Sequence, residues 1–232
     1  MNKSFFIIFF SILSIQNGLA QFHIVYDSID KYVNVRGENN KIIDQVPIGT
    51  IVWEAMPDFE WSYDYNSIYA VYFKEDRGYA GNIHQSRLIN IRDSFKQLDK
   101  TIREDNLYFK TDSVAVSIKT GQINKSIINS NVFESINFKT GNKLSSLPSD
   151  SYTDLIMPNP EATEVYYDKF NQRFFIITNG GDGAEGYGIM WVIEKNVYQD
   201  RYICCIIPDE FVESSLIGIK KEDIYKYIIE KK

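Results

Sequence analysis

The chain has 232 residues, a formal net charge of -6 at pH 7, 44% hydrophobic and 15% aromatic residues, and two cysteines. Mild acidity without a basic patch argues against a nucleic-acid footprint and gives no attraction to anionic lipid. The apolar content is too high for a disordered chain, and two adjacent cysteines do not make a disulfide scaffold, so the fold must stand on hydrophobic cores.

Residues 1–20 read as a signal peptide. Lys3 supplies a positive start, Phe5 to Ile15 is apolar apart from Ser11 and Ser14, and Gly18-Leu19-Ala20 offers the small residues a signal peptidase reads. The apolar run is too short to span a bilayer, and no cysteine follows Ala20 to carry a lipid anchor. The expectation is cleavage between Ala20 and Gln21, export to the periplasm or beyond, and a mature chain without a membrane span.

From Tyr32 to Leu88 the pattern changes to short alternating runs. Tyr32-Val33-Asn34-Val35-Arg36-Gly37, Val46-Pro47-Ile48-Gly49-Thr50-Ile51-Val52-Trp53 and Gly81-Asn82-Ile83-His84-Gln85-Ser86-Arg87-Leu88 each read as half-buried strands punctuated by Gly, Pro or Asn. As a set they resemble the bacterial SH3-like domain, a small barrel, here spanning residues 21–90. The resemblance implies a binding module and names no ligand. Such barrels hold peptides or glycan-linked peptides on aromatic rings between loops. Trp61, Tyr63 and Tyr65, in the loop from Asp58 to Asn66, and Tyr79 are therefore the candidate ligand-binding residues; the alternative is that these rings pack locally. Trp53 and Tyr72 are read as barrel core, and Arg36 and His84 as ties between strand ends. Asn82 stands where the family pattern has an aromatic residue before Ile-His, which weakens the expectation of the family's usual groove.

Ile91, Phe95, Leu98 and Ile102 fall at helical spacing among charged residues, so residues 91–106 form a connector, either one amphipathic helix or an irregular link. Residues 107–232 then read as a second, antiparallel β-rich domain. Ser113 to Lys119 alternates and ends at Thr120-Gly121. A polar interval runs to Ser146 and encloses Val132 to Phe138. Arg173 to Thr178 and Gly188 to Glu194 are apolar strands flanking the glycine-rich loop Asn179 to Tyr187, and Tyr198 to Ile207 adds another. Consecutive strands should be neighbours in a meander, closed by a short helix over Lys221 to Lys232. The predicted class is mainly β: an SH3-like barrel followed by an antiparallel β (α+β) domain with a terminal helix. Leu147-Pro148, Tyr152-Thr153-Asp154-Leu155, Pro158-Asn159, Asp182-Gly183-Ala184, Trp191-Val192-Ile193 and Tyr198 with Arg201 resemble a domain that recurs in exported bacterial proteins. That resemblance implies a fold and no catalytic residues.

The search for chemistry is mostly negative. His23 and His84 are the only histidines and lie far in sequence from Cys204 and Cys205, so the Cys–His pair of papain-like peptidases is absent. Neighbours on a strand point to opposite faces, which makes the cysteines two unpaired, largely buried thiols. No nucleophile elbow, zincin or phosphate-loop motif occurs, and no cofactor or metal is expected. Asp154, Asp182 and Glu185 remain as carboxylates that could pair across a hydrolytic site or bind a cation; the loop carrying the last two also reads as a glycine-permitted turn whose Asp caps its own backbone. Three functions stay open: an exported non-catalytic binding protein for a cell-wall peptide or glycan or an envelope protein, an immunity-type inhibitor of a secreted toxin, and a carboxylate-based envelope hydrolase.

Overall fold

The computed structural model describes residues 21–55, 66–125, 128–155, 157–181, 186–205 and 220–223. It is mainly β, with antiparallel sheets and a curled half-barrel. The first sheet is built from β1 (Phe22–Val25), β2 (Tyr32–Arg36), β3 (Ile42–Pro47), β4 (Ile51–Glu54), β5 (Ser67–Lys74), β6 (Arg77–His84) and β7 (Leu88–Asn90), in the spatial order β3-β2-β6-β5-β4-β1-β7. Local chemistry sets its turns. Glu75 and Asp76 both have positive φ, 53° and 62°, which gives the β5–β6 hairpin the twist its strands need. Gly49 has φ +86° between β3 and β4, a conformation that a Cβ would strain.

Side-chain parity divides this sheet between two cores. Val25, Val33, Val35, Val46, Val52, Ile68, Ala70, Tyr72 and Ile83 form one cluster on one face. Phe22, Ile24, Ile51, Trp53, Tyr69, Val71 and Ala80 point the other way and join a larger core shared with the rest of the chain. Trp53 and Tyr72, read together as barrel core, thus belong to different cores. Burial on both sides explains why Ile51-Val52-Trp53 and Ile68-Tyr69-Ala70-Val71-Tyr72-Phe73 are unbroken apolar runs and do not alternate.

The stretch 91–106 contains one helical turn and two strands. α1 (Ile91–Ser94) is capped by the Asn90 side chain, which accepts from the backbone N–H of Arg92 and Asp93. It ends at once because Phe95 is extended, with φ -113° and ψ 152°. The Phe95 ring packs 5.2 Å from that of Phe175, and β8 (Lys96–Gln97) and β9 (Asp99–Arg103) join two different sheets. Tertiary packing of Ile91 and Leu98, both buried, replaces the helix that their spacing suggested.

The second sheet adds β10 (Asn106–Lys110), β11 (Val114–Lys125), β12 (Ile128–Thr140) and β13 (Lys143–Ser146), in the order β13-β12-β11-β10-β9. The polar interval after Gly121 is mostly strand, because β12 follows β11 along its length with one register shift at Lys119/Thr120. The third sheet holds β14 (Glu164–Asp168), β15 (Arg173–Gly180), β16 (Tyr187–Glu194) and β17 (Val197–Cys205), in the order β17-β16-β15-β14-β8. Apart from β8, consecutive strands are neighbours, as a meander requires.

The third sheet is covered on both faces. Phe174 and Trp191 meet Phe138 and Phe133 of the second sheet at 6.3 and 6.0 Å. Phe175, on the opposite face from Phe174, meets Phe95. The Trp191 indole, fully buried, donates to the Ser151 carbonyl at 2.8 Å. Lys221 joins the third sheet to the first: its ammonium pairs with Asp200 and lies 5.4 Å from the Phe73 ring and 4.8 Å from the Tyr202 ring, while its N–H donates to the Asp76 carbonyl. Lys221 to Asp223 are helical; the rest of the predicted closing helix lies outside the described residues. Among the described residues no helix is long and apolar enough to cross a membrane.

Candidate functional site

Of the predicted aromatic set, Trp61, Tyr63 and Tyr65 lie outside the described residues, as do residues 1–20 and so Ala20 of the expected cleavage site. Tyr79 is half-buried on β6 and stacks on Tyr72, with ring centroids 5.8 Å apart and planes 17° from parallel. The Tyr72 hydroxyl donates to Asp44 at 2.8 Å, and Lys74 donates to the other Asp44 oxygen at 2.8 Å. Burial opposes the Asp44 charge, but the Lys74, Gln45 and Tyr72 hydrogen bonds outweigh it and hold the carboxyl below its ordinary value. Burial, followed by the hydrogen bond to Asp44 and then its charge, pushes the Tyr72 phenol far above its own.

A polar groove of about 400 Å3 opens on the first sheet. One side is the turn between β1 and β2, with Asp27 and Asp30. The floor is β2, with Tyr32, Asn34 and Arg36, and the far side is the end of β6 and the single 3-10 turn after it, with His84, Ser86 and Arg87. Asp27 is buried and saturated: one oxygen accepts from the N–H groups of Ile29 and Asp30, and the other pairs with Arg87. The Ile29 N–H, followed by burial that opposes it and then the Asp30 N–H and Arg87, holds the Asp27 carboxyl below its ordinary value. This pair joins the residues after β1 to the residues before β7 and makes one wall rigid.

Arg36 and His84 both hold turn ends, in keeping with their reading from sequence. Arg36 Nη1 donates to the Asn40 carbonyl at 2.7 Å. His84 caps the following turn: its Nδ1 accepts from the Ser86 N–H at 3.2 Å and lies 2.8 Å from the Ser86 hydroxyl. A backbone N–H can only donate, so Nδ1 is the acceptor and the ring proton sits on Nε2. The same two residues line the groove, and that second role was not read from the sequence. The available signal was the pair of short polar breaks, Asp27-Ser28-Ile29-Asp30 and Gln85-Ser86-Arg87, at the two ends of apolar strands.

A shallower groove of about 380 Å3 lies beside the edge strand β3, where Tyr32, Ile42, Ile43 and Pro47 are exposed next to Asp44 and Lys74. Pro47 cannot donate to an added strand, which blunts that edge.

Of the three carboxylate candidates, Asp154 alone lies among the described residues. Asp154 is held by Arg201 through two hydrogen bonds of 2.7 Å, and Asp182 and Glu185 lie outside the described residues. His23 is buried in β1, with Nε2 3.8 Å from a Glu54 oxygen. Cys204 is buried opposite Gly188. Among the described residues no three His, Cys, Asp or Glu side chains come together in a metal-binding group. No family model, curated protein or solved structure matches the chain.

Proposed function

We propose that this chain is an exported, non-catalytic binding protein that recognises a cell-wall or cell-surface ligand through an SH3-like module over residues 21–90, with residues 107–232 as a second recognition surface. The observation that carries this reading is the polar groove on the first sheet. Its size falls within the range of ligand pockets, it stands on strands of a packed core, and two of its charged residues, Asp27 and Arg87, are spent on rigidity. The exposed serine beside His84 argues for capping, because the histidine nitrogen facing it is already taken by a backbone N–H. Asp154, locked to Arg201, is poorly placed to act as a general acid or base. The N-terminal segment supports export.

The test is retention of residues 21–232 on insoluble peptidoglycan and on an envelope extract, beside a variant with Trp61, Tyr63 and Tyr65 changed to alanine. Retention of the native chain and its loss in the triple variant is the expected result, since aromatic contacts supply most recoverable binding energy at hot spots. The paired change Asp182→Ala and Glu185→Ala should leave retention intact. No retention on either material sinks the proposal, and glycan or peptide cleavage that disappears in the paired variant replaces it with the hydrolase.

A further inference from the structure

We propose that the polar groove is a subsite for a zwitterionic short peptide, with Arg36 taking the terminal carboxylate and Asp30 the ammonium group. This deepens the binding-module reading and rests on it.

The groove's charged groups divide into two kinds. Asp27 and Arg87 neutralise one another inside the wall, and Asp27 has both oxygens occupied. Arg36 and Asp30 are different. Arg36 spends one N–H on the Asn40 carbonyl, and among the described residues no carboxylate forms an ion pair with it. Its planar guanidinium carries five N–H donors, so several remain for an acceptor in the groove. Asp30 is exposed and gives its backbone N–H to Asp27; among the described residues no cation pairs with its side chain. Among the described residues, one cavity therefore presents one cation and one anion without an ion-pair partner.

The ligand that matches is one that carries both signs. A neutral glycan would leave both charges unanswered, and an apolar segment would cover the Asn34 amide N–H groups and the His84 Nε2–H without an acceptor for them. The fork of an arginine suits a carboxylate, which it binds through two parallel hydrogen bonds. His84 offers Nε2–H as a further donor, directed to an acceptor by the cap that fixes Nδ1, and a peptide carbonyl is such an acceptor. Tyr32, half-exposed on the floor strand β2, supplies a ring face for the chain between the two ends.

Trialanine, its C-terminal amide and its N-acetyl form are the probes, titrated into residues 21–232 and followed by backbone amide shifts in NMR. The free tripeptide should bind about tenfold more tightly than either blocked form, the scale of one charge-assisted contact. Arg36→Gln, which keeps a donor for the Asn40 carbonyl, should abolish the preference for the free acid over the amide and spare the preference for the free amine. Asp30→Asn should do the reverse, with melting unchanged. Equal binding of all three peptides, no binding of trialanine, or an Arg36→Gln protein that still prefers the free acid overturns the subsite. The envelope assay separates the two proposals. If the native protein fails to bind envelope material while the tripeptide pattern holds, the broader reading falls and the subsite stands. If Arg36→Gln with Asp30→Asn keeps full retention, the subsite falls and the broader reading stands.

Discussion

The Asp154 carboxylate and the Arg201 guanidinium face one another through two parallel hydrogen bonds, each 2.7 Å. Arg201 also donates to the Ser151 carbonyl at 3.1 Å, and that carbonyl accepts the Trp191 indole as well. The pair thus ties the segment around Ser151 to β17 and supports the buried tryptophan from outside.

Removing the arginine should therefore cost more than removing the acid. Arg201→Ala breaks at least these three hydrogen bonds and should destabilise the protein by about 2 kcal/mol, whereas Asp154→Ala leaves the Ser151 contact and should cost about 1 kcal/mol. Urea midpoints measure both. If Asp154→Ala abolished an activity while leaving stability intact, the structural reading of this carboxylate would be wrong.

Trp191 is fully buried where the second and third sheets meet. Trp191→Ala should cost about 3 to 5 kcal/mol. Trp191→Phe should recover much of that and still fall short of the native protein, because the Ser151 carbonyl loses its indole donor. Equal stability for Trp191→Phe and the native chain would remove the hydrogen bond from the account.

Two glycines should respond to alanine for different reasons. Gly49 has φ +86° and open space around the missing Cβ, so Gly49→Ala should cost about 1 kcal/mol through backbone strain alone. At Gly81 a Cβ would lie 2.5 Å from Val35 Cγ1, with Ile43 and the Arg36 carbonyl close by. Gly81→Ala should cost about 1 to 3 kcal/mol by overpacking, and Val35→Ala should relieve part of it in a double-mutant cycle. Additive effects would reject the clash.

Stability should fall at high pH. Burial, more than nearby acidic charge, pushes the phenols of Tyr166 and Tyr198 up to about 12 from an ordinary 10.0. An unfolded tyrosine ionises near 10.0 while these two keep their protons, so the stabilisation is complete below pH 10 and is lost as pH rises towards 12. Urea midpoints across that range should decline. Tyr166→Phe with Tyr198→Phe should make the decline shallower and leave the share of Tyr72 and Tyr202, whose phenols burial also raises; an unchanged slope would reject the two substituted residues as contributors.

Much of the strand framework was legible in the sequence. Tyr32 to Arg36 alternates because only one side of β2 meets a core, and Arg173 to Thr178 is continuous because both sides of β15 do. The spacing of Ile91, Phe95, Leu98 and Ile102 left a helix and an irregular link both open, because three of these residues meet their cores through tertiary contacts made by a turn and short strands, while Ile102 stays exposed. Asn90, the cap that starts the turn, is a local signal that fixes where the turn begins and not how long it runs. Trp53 shows the same limit: its burial could be read, but its core depends on parity within a sheet whose other face is covered by distant sequence. The groove was hidden because its residues come from three separate stretches, which the pairings of β2 with β6, β1 with β7 and β5 with β6 bring together.

The two-faced burial of β4 and β5 also governs how the protein must be made. A growing chain can pair all seven strands of the first sheet once Asn90 has emerged, and its inner cluster can close then. Trp53, Tyr69 and Val71 belong to a core whose other members run on to Cys204. Until synthesis reaches that point the nascent protein carries a broad apolar surface, which makes it adhesive to its neighbours. A fragment ending near Asn90 should therefore precipitate or bind holding chaperones when expressed alone, and premature termination should be more damaging than its small loss of sequence would suggest.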